Sequence, residues 1–111
     1  MQVKKSYTKI NPELLYDEVR DLVQKYGGIL DEAKMQTYSL PGASSHIVRG
    51  TIVCKTKQDK AEKECLRAHI VGTAAGETKM MLDADESLFP EEKIKALEAD
   101  LDFVFGSYQE D

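Results

Sequence analysis

Apolar residues recur at helical spacing in two stretches of this chain and alternate with polar ones across most of the rest. Leu15, Val19, Leu22, Val23 and Tyr26 fall on one stripe. Just ahead of them, Asn11 offers an N-cap oxygen, and Pro12 suits the first helical position because the donor it lacks would be orphaned there anyway. Glu13 complements the helix dipole, and Gly27-Gly28 provides a left-handed stop, so the pattern predicts a helix over 12–26. A second stripe, Ile94, Leu97, Leu101 and Val104, follows Pro90-Glu91-Glu92 and ends at Gly106, which predicts a C-terminal helix.

The remaining segments read as strands. Weak alternation in the first ten residues places Val3, Lys5 and Tyr7 on one side of a short, exposed edge strand. Residues 29–39 are extended, and Leu40-Pro41-Gly42-Ala43-Ser44-Ser45 is a turn. Residues 47–55 are rich in β-branched side chains and give the strongest strand signal. Residues 58–71 admit two readings. As a strand over 64–72, the segment pairs with 47–55 across a charged loop and turns at Thr73-Ala74-Ala75-Gly76 into 77–84. As a helix, Ala61, Cys65, Leu66, His69 and Ile70 form one stripe and Gly72 is the stop. The turn signal favours the strands.

The resulting order is β-α-β(4)-α: one α+β domain over 1–111, with an antiparallel sheet and both helices on one face. Element order alone resembles the TATA-box-binding-protein-like architecture and its larger helix-grip (START-like) relatives over nearly the whole chain. The resemblance implies a curved antiparallel sheet. It transfers no functional residue, because no family motif accompanies it. The helical reading of 58–71 gives instead a ferredoxin-like βαββαβ order plus a C-terminal helix.

Composition narrows the function classes. The chain has 111 residues, enough for a single modest core, with 15 basic against 20 acidic side chains. Lys55, Lys57, Lys60 and Lys63 cluster, but Asp59, Glu62 and Glu64 are interleaved among them, so nucleic acid is not the expected partner. The apolar runs are too short to span a membrane, and no apolar stretch follows Lys4-Lys5 as a secretory signal would require. A cytoplasmic setting with two reduced cysteines is therefore expected.

Symmetric turns would oppose Cys54 to Cys65, Ile52 to Arg67 and Gly50 to His69, with Met80 beside His69 and Leu82 beside Arg67. The cysteine face, carrying Arg67 and His69, is then the one the helices cover. The other face exposes Leu66, Ala68, Ile70 and Met81 as a contact centre, with Arg49 and Lys79 selecting charge at its rim. The leading expectation is a non-catalytic binding module that uses this open face for a protein partner or a second copy, with no cofactor. The alternative is a small-ligand carrier or simple enzyme. In it Arg67 and His69 would orient an apolar ligand lined by Met80, Leu82, Leu101 and Phe105.

Cys54, Cys65 and His69, with His46 more distant, are weak candidates for a metal or thiol site, since no close Cys pair announces one. Gly42-Ala43-Ser44-Ser45-His46 can form an anion nest but reads as a plain hairpin loop. Asp83-Ala84-Asp85-Glu86 lacks the glycine and distant Glu of a calcium loop and reads as charge preceding a helix.

Overall fold

Five strands make one antiparallel sheet, and two helices lie across one of its faces. The computed structural model describes residues 1–39, 41–42, 46–58, 61–73 and 76–109. In chain order the elements are β1 (Gln2–Thr8), α1 (Pro12–Lys25), β2 (Ile29–Ser39), β3 (His46–Gln58), β4 (Ala61–Thr73), β5 (Glu77–Ala84) and α2 (Glu91–Phe105). A 3-10 turn at Gly106–Tyr108 follows. The sheet order is β1-β5-β4-β3-β2, so α1 carries the chain from one edge strand to the other. Residues 61–73 are strand, which removes the helical reading and the ferredoxin-like order with it.

Local chemistry sets the helix ends. The Asn11 side chain accepts from the Glu13 amide at 2.8 Å, and Gly27, at φ +100°, turns the chain out of α1. Gly106 does not stop α2 in that way. It stays right-handed at φ −57° and leads into the 3-10 turn, after which Gln109 forms an antiparallel bridge to Tyr7. Of the predicted turn at 40–45, Pro41 and Gly42 form a turn, with Gly42 at φ +76°. Leu40 and Ala43-Ser44-Ser45 lie outside the described residues, as do Asp59-Lys60 of the charged loop, Ala74-Ala75 of the next turn and the tail's last two residues.

The β3–β4 register differs from the expected one by a single residue. Cys54 pairs with Leu66, Ile52 with Ala68 and Gly50 with Ile70; beyond the step at Cys54/Lys55, Lys55 pairs with Glu64. Cys65 is thus the extra residue of a β-bulge, which lets it and Leu66 both turn inward. Because side chains alternate with period two, that one residue reverses the facing of everything after it in β4. Across to β5, Met80 accordingly meets Ile70 and Leu82 meets Ala68, where His69 and Arg67 were expected.

The core lies between this face and the helices. Ile52, Cys54, Leu66, Ala68, Ile70, Met80 and Leu82 from the sheet pack with Leu15, Val19, Val23, Ile94, Leu97 and Leu101 from the helices. α1 sits so close to β3 that a Cβ on Gly50 would stand 2.6 Å from the Tyr16 ring. Buried Thr78 donates its hydroxyl to the Ile10 carbonyl at 2.7 Å, so its polar group is satisfied inside the core. Among the described residues, no helix is long and apolar enough to cross a membrane.

Candidate functional site

The face left bare by the helices is built from rows of side chains running across all five strands. Strand pairing aligns Lys4, Met81, His69, Thr51 and Lys34 in one row, and Ser6, Lys79, Val71, Arg49 and Gln36 in the next. These two central rows hold four cations and no carboxylate. A third row, Gln2, Asp83, Arg67, Val53 and Glu32, returns to mixed charge.

Two of the cations near the centre are already matched. Lys34 pairs with Glu32 at 2.9 Å, and Arg67 with Glu64 at 2.9 Å. Lys4, Lys79 and Arg49 form no ion pair within 4.0 Å among the described residues. Between these three lie the partly exposed Met81, Val71 and His69. A shallow depression of about 400 Å³ opens here, and its lining includes Lys4, Ser6, His69, Val71, Lys79 and Met81.

Charge is segregated through the thickness of the molecule. α1 holds four carboxylates against two cations, and α2 five against two, which together account for the whole formal net charge of −5. The sheet and loops are neutral in sum, so the cations of the central rows stand out against a balanced background rather than an acidic one.

The residues predicted for the site divide between the two faces. Arg49, Lys79, Met81, Arg67 and His69 lie on the bare face. Leu66, Ala68 and Ile70 do not: they are 1%, 0% and 1% exposed and belong to the core, because the bulge at Cys65 turns them inward and sends Arg67 and His69 out. The same reversal separates the side chains of Arg67 and His69 from those of Met80, Leu82, Leu101 and Phe105, which are buried on the helix side. Cys54, Cys65 and His69 likewise fail to converge, since both cysteines are buried under the helices.

Both thiols are held protonated by their surroundings. Burial, with a smaller contribution from Cys65, pushes Cys54 up to about 12, and burial also raises Cys65, whose Sγ–H points at the Cys54 carbonyl oxygen at 3.5 Å. A thiol so placed is a poor nucleophile and a poor metal ligand. Among the described residues no three His, Cys, Asp or Glu side chains form a group able to hold a metal ion.

Lys4, Lys34, Thr51 and Val71 belong to the bare face and were missed from sequence. The signal that locates the β4 residues is the alternation Leu66-Arg67-Ala68-His69-Ile70 itself, apolar and polar by turns. Comparison of the chain with protein-family models, with curated proteins and with solved structures gives no match.

Proposed function

We propose that the protein is a non-catalytic binding module whose bare sheet face takes an acidic, partly apolar segment of a partner protein. The observation that carries this reading is the pair of central rows. Three cations with no ion-pair partner among the described residues, Lys4, Lys79 and Arg49, surround the apolar atoms of Met81 and Val71. Apolar contact supplies affinity at the centre of such a surface, while like-charge repulsion rejects basic competitors at its rim. Arg67 extends the face towards mixed charge, and His69 sits at its middle as a hydrogen-bonding group. The resemblance to sheet folds with helices on one side fits a role for the other side. Two free cysteines fit a reducing compartment, and we place the module in the cytoplasm.

The test uses fluorescence anisotropy with a labelled extended peptide of alternating Glu and Leu as probe. The intact chain should bind it, and Arg49→Glu with Lys79→Glu should weaken binding more than tenfold, equivalent to at least about 1.4 kcal/mol. Added salt should weaken binding to the unaltered chain in the same direction. Equal affinity of the two proteins, or a preference for the Lys-Leu counterpart or for a single-stranded oligonucleotide, overturns the reading.

A further inference from the structure

The two edges of the sheet are finished differently. β1 is closed at one end by the bridge from Gln109 to Tyr7 and by the Thr8 hydroxyl donating to the Tyr108 carbonyl at 3.4 Å. At its other end the Met1 ammonium donates to the Ala84 carbonyl at 2.8 Å. β2 pairs only with β3, and its outer backbone has no partner along Ile29–Ser39 among the described residues. Its single bulge falls at Asp31, leaving Glu32 onwards in regular register.

Proteins usually guard a long free edge with charge, proline or a covering element. Here Met35-Gln36-Thr37-Tyr38-Ser39 carries no charge and no proline, and all but Met35 are exposed. Ala33 is also exposed although it lies on the helix side of the sheet, so the helices leave part of this edge uncovered.

We infer that the β2 edge pairs antiparallel with the β2 edge of a second copy, about a two-fold axis at Met35, to make one continuous ten-stranded sheet. A two-fold axis perpendicular to the sheet keeps each side chain on its own face, so only registers that pair residues of equal parity are allowed. A centre at Lys34 would oppose two lysines, and a centre at Ala33 would draw the Asp31 bulge into the ladder. A centre at Met35 opposes Met35 to Met35, Ala33 to Thr37, Lys34 to Gln36 and Glu32 to Tyr38. It engages the regular stretch from Glu32 to Tyr38 with no like charges facing. It also sets a phenol hydroxyl against a carboxylate on each side and joins two apolar side chains at the axis. A second copy supplies all of these partners at once, in an extended strand that is already formed.

Position 36 reads this register, because it is exposed and faces Lys34 of the other copy. Sedimentation equilibrium of the full chain over roughly 1–200 μM should show a monomer–dimer equilibrium. Gln36→Lys, which sets lysine against lysine twice, should raise the dimer Kd at least tenfold. Gln36→Glu should lower it several-fold, and added salt should shrink both changes. Circular dichroism and thermal unfolding of the monomers should match the unaltered chain. A chain that stays monomeric throughout overturns the proposal and leaves the edge for an extended segment of another protein. A dimer indifferent to both substitutions overturns it too, and moves self-association to another surface.

Discussion

Tyr7 is sealed in the core at 0% exposure, edge-on to Phe105, and its hydroxyl meets no hydrogen-bonding partner among the described residues. Burial first, then the carboxylates of Asp102 and Glu98, push the phenol up from 10.0 to about 12. Lys5 pairs with both carboxylates at 3.5 Å and gives the hydroxyl no donor or acceptor. Tyr7→Phe should therefore cost nothing near neutral pH and gain up to about 1 kcal/mol, since an unpaired buried hydroxyl is lost with no bond broken. The sign of the alkaline effect follows from the raised value. Between pH 10 and 12 the unfolded chain releases a proton that the folded chain retains, so folding weakens as pH rises. At pH 11 the phenylalanine variant should exceed the unaltered protein by about 1 kcal/mol more than it does at pH 7. Chemical denaturation at the two pH values checks this, and a variant less stable at pH 7 by over about 1 kcal/mol would mean the hydroxyl is bonded. Cys54 adds the same slope earlier, from pH 9.0 upward, because burial raises it to about 12. Cys54→Ala should flatten the stability profile between pH 9 and 10 even though the cavity it leaves lowers stability at every pH.

At the scale of elements, α1 lies directly on β3, with the Tyr16 ring against Gly50. Gly50→Ala should destabilise the protein by about 1–3 kcal/mol, because the added methyl displaces a buried ring rather than a mobile chain end. The same change at Gly42, where nothing among the described residues lies within 4 Å, tests backbone strain, because φ there is +76°. Denaturant midpoints of the two variants, measured side by side, separate packing from strain; an unchanged midpoint for Gly50→Ala would show that α1 can ride outward. Helix α1 was legible almost to the residue, since Asn11, Pro12 and Gly27 each carry a local steric or hydrogen-bonding reason for their place. The number and order of strands were legible from alternation. The facing of β4 was not, because a bulge costs one residue and leaves no side-chain signature at Cys65, whereas a symmetric hairpin turn assumes none. The hydrophobic alternation of Leu66, Ala68 and Ile70 against Thr78, Met80, Leu82 and Ala84 of β5 already agreed with the observed register. Register follows burial of the apolar set, and turn symmetry yields to it. That is why half of the expected contact surface, Arg49, Lys79 and Met81, lies on the bare face while Leu66, Ala68 and Ile70 became core, and why Arg67 and His69, expected beneath the helices, came out onto the bare face.

The whole molecule is long and thin, 51 × 28 × 19 Å, with a Cα radius of gyration of 14.5 Å. That shape makes the route of self-association measurable without atomic detail. Copies joined along β2 place their centres about five strand spacings apart, roughly 24 Å, and so have a radius of gyration of about 19 Å. Copies stacked sheet to sheet on the bare faces lie much closer, at about 10 Å between sheets, and reach only about 16–17 Å. Charge argues against stacking as well. It would press Lys4, Lys79 and Arg49 of one copy onto the same cations of the other, across an interior poor in carboxylates. Edge pairing instead leaves both basic centres on the same side of a ten-stranded sheet, free to hold two acidic segments or two stretches of one. Small-angle scattering on a concentration series should therefore climb towards about 19 Å for the unaltered chain and stay near the monomer value for Gln36→Lys. A plateau at about 16–17 Å would place the contact on the sheet face, and with it would remove that face from the binding role argued for it.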